Sequence, residues 1–390
     1  MPPIERRLRI AVLTRQFGRH MGGAENYAVS LAQQLAKRHE VQVFCQAAFN
    51  EWPDLKTHVM GFSLRKPRWL NMLLYSAWTY WKTRRGFDIV HSHENVFHGD
   101  VQTFHVKPVT HNLFHGKSGL ALGLVWLKVL FSLRLWAYLA VERARVSSPQ
   151  HRLLITASQL LQDLYAQTFH LKTSDIQVLT PGVDMPTPEP LEQTQMLQAS
   201  RRQALGLPAE KRLVLMVGHN YQKKGLGALL QALTHLNADT GLVVVGDAKQ
   251  IPAWQQKAKQ LGVGDQVFFL GPQTDMAPIY QACDLLAHAT LEDVFPIVVL
   301  EAMSHGLPVV VSPAPYCLSS NLLTHQTHAW VLSDPHDGPA LALAIQTILS
   351  TTQLQECLVN NARAFVTNYS WDHLVEHQLK LYLDLLANNA

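Results

Sequence analysis

The chain has 390 residues, of which 47% are hydrophobic and 16% are charged, with a net charge of +4 at pH 7. This composition supplies enough apolar material for two or three packed cores and excludes a disordered or fibrous protein. The charge is divided unequally, because residues 1–180 carry 22 Lys and Arg against 11 Asp and Glu, whereas residues 181–390 carry 11 against 18.

Short β-branched runs alternate with amphipathic stretches along the chain. A helix is predicted over 25–38, where Tyr27, Leu31 and Leu35 share one stripe. Strands are predicted at 8–14, 41–46, 88–93, 101–106, 153–157, 213–217, 241–246, 267–270, 285–289, 308–312 and 330–332. Continuous apolar strands separated by helices predict parallel sheets that are covered on both faces.

A proline-rich seam interrupts this alternation at residues 181–190, and the pattern restarts near Leu213. We therefore predict two doubly wound α/β domains around a cleft, with a boundary near residue 185. The basic first domain is expected to meet an anionic partner, for which nucleic acid, anionic lipid and a phosphorylated glycan all qualify. The last predicted helix, 370–385, could pack on either domain.

Two loops after predicted strands have the composition of anion sites. Gly22 and Gly23 follow the first strand and open a helix, where backbone amides favour anions, although the pair does not form the GxGxxG fingerprint and also suits a plain turn. Lys223 and Lys224 stand between a strand and a leucine-rich helix. Cations beside free helix amides predict a diphosphate site, and a solvated lysine pair is the alternative.

The segment 292–312 carries the strongest pattern. Asp293 follows the predicted strand 285–289, at the edge where open α/β sheets bind ligands. Glu301 stands in an apolar helix between Leu300 and Ala302, where a carboxylate is costly unless it is hydrogen-bonded. This pair of carboxylates predicts a polyhydroxylated ligand, and a structural salt bridge is the alternative.

Histidines are concentrated between residues 91 and 105. His91 and His93 lie on one face of a strand end, and His105 follows the next strand. A zinc site would need three or four converging ligands, so a role in lining the cleft or in catalysis is favoured for at least one of these histidines. The alternative is that these histidines are structural, with their ring nitrogens hydrogen-bonded inside the protein.

Residues 65–85 combine Trp69, Tyr75, Trp78 and Trp81 with flanking cations. This pattern is typical of a helix that lies in a membrane interface, and a core helix with basic ends is the alternative. The uncharged stretch 69–81 has 13 residues, fewer than the roughly 20 that a membrane-spanning helix needs.

Together these motifs resemble the retaining glycosyltransferases of the GT-B fold, in the large family 4 group. The resemblance covers nearly the whole chain. The spacing of Lys-Lys-Gly and the residues at 271–284 are most similar to those of lipopolysaccharide core glucosyltransferases. The resemblance rests on Gly-Gly-Ala-Glu at 22–25, Pro-Gly-Val-Asp at 181–184, Lys-Lys-Gly at 223–225, the segment 293–308 and Ser-Trp-Asp at 370–372.

The resemblance implies two Rossmann-like domains facing a cleft. Residues 1–184, with a C-terminal helix 371–390, would bind the acceptor, and residues 185–370 would bind the nucleotide-sugar donor. Catalytic roles fall to His105, near the reacting anomeric carbon, and to Asp293, on the donor-sugar hydroxyls. Lys224 would bind the diphosphate and Glu301 the ribose. The full set implied for donor binding is Gly22, Gly23, His219, Lys223, Lys224, Phe295, Ile297, Val298 and Glu301.

The implied activity is transfer of a hexose from a UDP-linked donor to a glycan or glycolipid such as lipopolysaccharide core. Glucose is the favoured hexose. No metal or other cofactor is expected, since the chain has no Asp-x-Asp and lysines replace the divalent ion. One alternative within enzymes is a GT-B epimerase of sugar nucleotides, which would need no acceptor. Three departures from the family pattern, Asp293 for Glu, His219 for Arg and Pro296 for Gly, keep a second alternative open, a non-catalytic, membrane-associated binding protein.

The expected partners are the donor, the glycan or glycolipid acceptor and an anionic membrane surface, with no nucleic acid. Residues 1–9 contain no apolar signal core. The four cysteines lack CxxC spacing and suit a reducing compartment. We therefore expect a cytoplasmic protein, peripheral on the inner face of the cell membrane.

Overall fold

The computed structural model describes residues 7–18, 23–49, 55–147, 151–187, 191–293 and 295–389. The chain divides into unit 1, Met1–Gly182 with Trp371–Ala390, and unit 2, Val183–Ser370. This division falls two residues before the boundary that was predicted between residues 184 and 185.

Unit 1 is built on a seven-stranded parallel sheet with the order β5-β3-β1-β6-β7-β8-β9, and β2 and β4 form a separate pair. Its strands are β1 (Arg9–Leu13), β2 (Gln16–Phe17), β3 (Glu40–Cys45), β4 (Ala47–Ala48), β5 (Lys56–Val59), β6 (Ile89–Ser92), β7 (Val101–Phe104), β8 (Leu153–Thr156) and β9 (Ile176–Val178). Its first six helices are α1 (Gly23–Ala36), α2 (Arg68–Thr83), α3 (Val109–Phe114), α4 (Gly119–Leu130), α5 (Leu133–Val146) and α6 (Gln159–Phe169).

Unit 2 is built on a six-stranded parallel sheet with the order β12-β11-β10-β13-β14-β15. Its strands are β10 (Arg212–Gly218), β11 (Thr240–Gly246), β12 (Val267–Gly271), β13 (Leu285–His288), β14 (Val309–Val311) and β15 (Trp330–Val331). The remaining helices are α7 (Leu191–Ala204), α8 (Leu226–Leu233), α9 (Ile251–Gln260), α10 (Ala277–Ala282), α11 (Ile297–Ser304), α12 (Gly338–Ser350), α13 (Thr352–Val366) and α14 (Trp371–Asn388).

Each large sheet reverses its strand order once. In unit 1 the chain adds β3 and β5 on one side of β1 and then continues with β6 on the other. In unit 2 it adds β11 and β12 beside β10 and then continues with β13. Open α/β sheets bind ligands at the carboxyl ends of the strands that flank such a reversal. The predicted fold class, two Rossmann-like α/β units with parallel sheets, is confirmed.

The C-terminal helix α14 belongs to the core of unit 1. Trp371, Leu374, Tyr382 and other residues of its apolar stripe join a buried cluster with α1, β1 and β3. Gly182 lies so close to the Trp371 indole that a Cβ there would stand 2.7 Å from a ring carbon. The helix therefore packs on unit 1, which is one of the two positions that its amphipathic pattern allows.

Helix α2 differs from the interfacial helix that its sequence favours. Tyr75 is only 2% exposed, and its hydroxyl donates to the carbonyl oxygens of Thr14 and Phe44, at 3.0 and 2.7 Å. Trp78 packs on Phe44 and Tyr75. The prediction that Tyr75 lies in a membrane interface is therefore wrong. The face of α2 that packs on the protein carries Tyr75 together with polar residues such as Ser76 and Thr79.

Within the described ranges, no helix taken singly is long and apolar enough for a membrane crossing. Helices α4 and α5 reach the required length and composition only as a pair, and they are bent by 97° at the break between them.

Candidate functional site

Two loops meet at the carboxyl ends of β10 and β13 in unit 2. The loop after β10 holds Lys223, whose carbonyl oxygen accepts hydrogen bonds from the Leu291 amide at 2.7 Å and the Thr290 hydroxyl at 3.1 Å. Gly225 ends this loop with a positive φ of 82°. The strand reversal and these bonds bring residues 219–225 next to residues 290–293.

Lys224 and Asp293 are joined across the two loops. The Lys224 ammonium forms an ion pair and hydrogen bond with Asp293 Oδ2, and His288 Nε2 lies 3.1 Å from the same oxygen. Burial lowers the pKa of His288 and outweighs the opposing effect of Asp293, so the neutral ring donates to the carboxylate. Burial alone would raise the pKa of Asp293, but the His288 hydrogen bond and the Lys224 charge hold it below its ordinary value.

Glu301 lies one turn inside α11, the helix that begins four residues after Asp293. It accepts a 2.6 Å hydrogen bond from the hydroxyl of Tyr280, a buried residue of α10. Burial raises the pKa of Glu301, the Tyr280 bond partly offsets this, and Asp184 raises it further. Ile297 and Val298 form the first turn of α11, where backbone amides have no acceptor inside the helix. This arrangement can receive both hydroxyl groups and an anion.

The remaining residues implied for donor binding make separate contacts of their own. His219 is exposed at the end of β10, and its carbonyl accepts from the Gln250 amide. Lys223 is exposed and pairs with Glu292 at 2.5 Å. Phe295 packs into an apolar cluster beside Tyr369. Gly23 opens α1 in unit 1, whereas Gly22 lies outside the described residues.

His288 and Tyr280 are contacts that sequence reasoning missed. A signal existed for His288, since it is the polar residue in the apolar run Leu285 to Ala289. No local signal marks Tyr280, because its link to Glu301 joins residues that are 21 positions apart on different helices. Both side chains hold a carboxylate that the sequence did single out.

The histidines predicted in unit 1 form a connected chain in which His91 and His93 are buried and His105 is partly buried. His105 Nε2 lies 3.2 Å from His93 Nδ1, and the His93 ring lies against His91 at 4.2 Å between centroids. His91 in turn contacts Tyr382 of α14 at 2.6 Å. Burial, with a smaller effect of Arg145, lowers the pKa of His105 to about 4. His105 is therefore neutral at pH 7.

Arg145 of α5 binds β7, the strand that precedes His105, and sequence reasoning did not single it out. It is buried and donates to Gln102 Oε1 at 2.9 Å and to the Thr103 carbonyl at 3.0 Å. Across the described part of the chain, no three His, Cys, Asp or Glu side chains converge in a way that would hold a metal ion.

The pH dependence of stability should report the Asp293 pair. Because its pKa is depressed on folding, the contribution of Asp293 is fully present above its unfolded pKa, about 3.9, and is lost as pH falls through the folded value. We expect Asp293→Asn to lower the free energy of unfolding at pH 7 by about 1–3 kcal/mol. The difference from wild type should shrink below about pH 4.

Urea unfolding of both proteins between neutral and acidic pH measures this difference. Glu292→Gln is the matched control, since Glu292 is an exposed carboxylate that also pairs with a lysine. A loss that stays constant down to the acid limit would show that the Asp293 charge does not contribute.

Two family profiles match the chain, one in each unit. Residues 21–185 match Glycosyltransferase Family 4, and residues 198–365 match Glycosyl transferases group 1. Among solved structures, that of WaaG, a glycosyltransferase involved in lipopolysaccharide biosynthesis, has a TM-score of 0.76 at 22% identity and covers 96% of this chain and 99% of WaaG. Anabaena HepE with UDP and glucose has a TM-score of 0.71 at 19% identity, with 96% and 99% coverage. These structural likenesses concern the fold.

Curated relatives match over part of their length. The D-inositol 3-phosphate glycosyltransferase of Salinispora arenicola is 32% identical over 228 residues, covering 54% of this chain and 50% of that protein. The lipopolysaccharide glucosyltransferase WaaG of Escherichia coli is 27% identical over 233 residues, covering 58% and 61%. The chain thus spans about half to three fifths of the curated relatives that it matches. Because the two profiles together cover most of the chain, one over each Rossmann-like unit, the chain belongs to the family 4, group 1 glycosyltransferases, and its fold is similar to that of WaaG.

Proposed function

We propose that this protein transfers a hexose from a UDP-linked donor to a glycan or glycolipid acceptor, with retention at the anomeric carbon. Glucose is the favoured hexose. The observation that carries the proposal is the ion pair of Lys224 and Asp293 at the carboxyl ends of β10 and β13, followed in the chain by helix α11, which carries Glu301. These elements supply a cation for a diphosphate, two carboxylates for hydroxyl groups and a helix N-terminus for an anion.

The departing diphosphate needs stabilisation of its growing negative charge. Lys224 Nζ supplies a charge-assisted donor, and the first amides of α11, at Ile297 and Val298, add oriented dipoles. The bond from the anomeric carbon to the phosphate oxygen breaks, and its electron pair stays on that oxygen of the departing diphosphate. The acceptor oxygen forms the new bond to the anomeric carbon, and its proton passes to the departing diphosphate oxygen. We propose that these groups replace a divalent metal ion in this step.

The two carboxylates divide the hydroxyl groups of the donor between them. Asp293 is ionised at neutral pH because its pKa is depressed, so it accepts hydrogen bonds from the sugar. Glu301 accepts from the ribose while Tyr280 holds its other side. Asp293 and Lys224 satisfy each other in this structure, and the donor would replace this pair by two contacts of the same kind.

The choice of donor and acceptor rests on the named relatives. HepE was solved with UDP and glucose, and one relative is a lipopolysaccharide glucosyltransferase. The basic charge of residues 1–180 favours a phosphorylated glycolipid at an anionic membrane surface. We propose that unit 1 binds this acceptor and that His105, neutral at pH 7, acts near the reacting carbon.

Incubation with a panel of radiolabelled nucleotide sugars tests the proposed activity. Transfer to a lipopolysaccharide core acceptor, or slow hydrolysis without one, is expected with UDP-glucose. Interconversion of sugars in the absence of an acceptor would indicate an epimerase. No reaction with any donor would contradict the proposal.

Removal of the Glu301 carboxylate should weaken binding of UDP. A lost hydrogen bond to a charged group costs about 1.5–3 kcal/mol, so Glu301→Ala should raise the Kd for UDP by roughly 10- to 150-fold. Titration calorimetry measures it. Tyr280→Phe is the control, since it removes the partner of Glu301 and leaves the carboxylate in place. A folded Glu301→Ala protein with unchanged affinity would exclude Glu301 from the site.

A further inference from the structure

His93 lies between two other histidines inside unit 1. Its Nδ1 lies 3.2 Å from His105 Nε2, and its ring lies against that of His91 at 4.2 Å between centroids. Its Nε2 is buried and has no hydrogen-bond partner among the residues that the structure describes. The one hydrogen bond that the His93 ring forms with a described residue is therefore the bond to His105.

All three rings are neutral at pH 7. Burial lowers the pKa of His91 to about 3 and that of His105 to about 4. Burial also lowers the pKa of His93 well below its ordinary value, and His91, His105 and Arg145 act in the same direction. A neutral imidazole has one N–H donor and one bare nitrogen that accepts. The position of the single proton on each ring therefore decides which ring donates in the bond between His93 and His105.

The buried Nε2 of His93 indicates where the proton of this ring lies. A proton on Nε2 would make a buried donor without an acceptor among the described residues, and such groups are rare and costly. A bare Nε2 instead adds an acceptor near Tyr27, whose ring lies 5.4 Å from that of His93. The buried Tyr27 hydroxyl is a donor that likewise has no partner among these residues. The proton of His93 is therefore assigned to Nδ1.

We propose that His93 is a positioning residue for His105: it donates its Nδ1–H to His105 Nε2 and so fixes the proton of His105 on Nδ1. Because His105 is only partly buried, its Nδ1–H is then a neutral donor for an oxygen atom of the donor sugar. Positive charge develops at the anomeric carbon as its bond to the leaving oxygen breaks, and a neutral donor does not repel it. The inference rests on the proposed role of His105 in sugar transfer.

Packing holds the His93 ring in the orientation that this bond needs. Both nitrogens of His91 are hydrogen-bonded, Nδ1 with the Tyr382 hydroxyl at 2.6 Å and Nε2 with the Thr103 hydroxyl at 2.7 Å. These bonds fix the plane of the His91 ring, against which His93 lies. Tyr27 contacts the His93 ring edge-on. The His93 ring is therefore confined by its neighbours as well as by its hydrogen bond.

Nitrogen NMR measures the position of the proton directly. In protein whose histidine rings carry the NMR-active nitrogen isotope, protonated and bare nitrogens give separate signals, and the signals lost in His105→Asn identify His105. Wild type without substrate is expected to carry the His105 proton on Nδ1. His93→Phe should shift this proton toward Nε2, whereas His98→Phe should leave it on Nδ1. His98 is the matched control, since it is a buried histidine of unit 1 whose Nε2 contacts the Thr79 hydroxyl at 2.9 Å.

Transfer rates separate positioning from packing. His93→Phe keeps a ring but loses the donor, so kcat should fall roughly 10- to 100-fold with little change in KM. His93→Asn loses the ring but can place an amide N–H where Nδ1 lies, so it should retain more of kcat than His93→Phe. If His93 only filled space, the order would be reversed, because phenylalanine fills that space better than asparagine. His98→Phe should transfer sugar like wild type.

Two results would overturn the proposal: a His105 proton on Nε2 in wild type, or a higher kcat in folded His93→Phe than in folded His93→Asn. The first measurement does not depend on the stability of any His93 variant. A His105 proton on Nδ1 in a protein that transfers no sugar contradicts the proposed function alone. Sugar transfer by wild type with the His105 proton on Nε2 contradicts the positioning role alone.

Discussion

Replacing Lys224 by methionine is expected to lower kcat/KM for sugar transfer by roughly 10- to 150-fold, which corresponds to about 1.5–3 kcal/mol. Methionine retains the apolar stem, which lies against Gly218, and removes only the charge. The loss should therefore report stabilisation of the departing diphosphate. It should appear in kcat more than in KM, because the charge of the diphosphate grows as the bond breaks.

Steady-state rates with a labelled donor measure this effect. Lys249→Met is the matched control, because Lys249 is an exposed lysine near the carboxyl end of β11 without a contact to Asp293. Lys223→Met should give an intermediate loss, since Lys223 is exposed and shares its charge with Glu292. Equal rates for wild type and Lys224→Met would remove Lys224 from the diphosphate site.

Replacing Gly225 by alanine is expected to destabilise unit 2 by more than about 3 kcal/mol and to abolish transfer. A Cβ at this position would stand 1.8 Å from the Ala289 carbonyl oxygen, and φ is +82°. The nearest atoms that this Cβ would meet, the Ala289 carbonyl oxygen and carbon, belong to the backbone, so relief requires separation of the loops that follow β10 and β13. That separation would break the Leu291–Lys223 hydrogen bond and withdraw Lys224 from Asp293.

Gly262→Ala separates the clash from the cost of a left-handed backbone. Gly262 has a φ of +74° and no atom within 4 Å of a built Cβ, so alanine should cost only about 1–2 kcal/mol there and leave activity intact. Urea unfolding and transfer rates should be measured for both variants. Equal destabilisation by Gly225→Ala and Gly262→Ala would show that the loops after β10 and β13 can separate with no loss of stability.

Regular apolar runs were sufficient to predict the long strands of both sheets. The strands that sequence reasoning missed are short, and two of them, β5 and β9, are the edge strands of the first sheet. An edge strand pairs on one side only, so it needs neither length nor a continuous apolar run. Strands β2 and β4 have two residues each, too few for any periodicity to be visible.

The candidate site also has parts that the sequence predicted and parts that depend on the fold. Lys224, Asp293 and Glu301 follow strands or interrupt an apolar helix, so their local sequence and the family resemblance were enough to single them out. That Lys224 pairs with Asp293, 69 residues away, depends on β10 and β13 being neighbours. The parts played by His288 and Tyr280 likewise depend on which elements pack together.

The sequence by itself determined the alternation of strands and helices, the seam at residues 181–190, the opposite charges of the two halves and the choice of Asp293 and Glu301 as candidate ligand-binding carboxylates. These follow from periodicity, composition and the high cost of an unpaired buried charge. Only the tertiary structure decided which face of each helix is covered. Helix α2 has the more interfacial composition, yet Tyr75 and its polar stripe are buried, whereas the leucines of α4 face outward. Composition states how apolar a segment is, but exposure depends on the neighbours that the fold places against it.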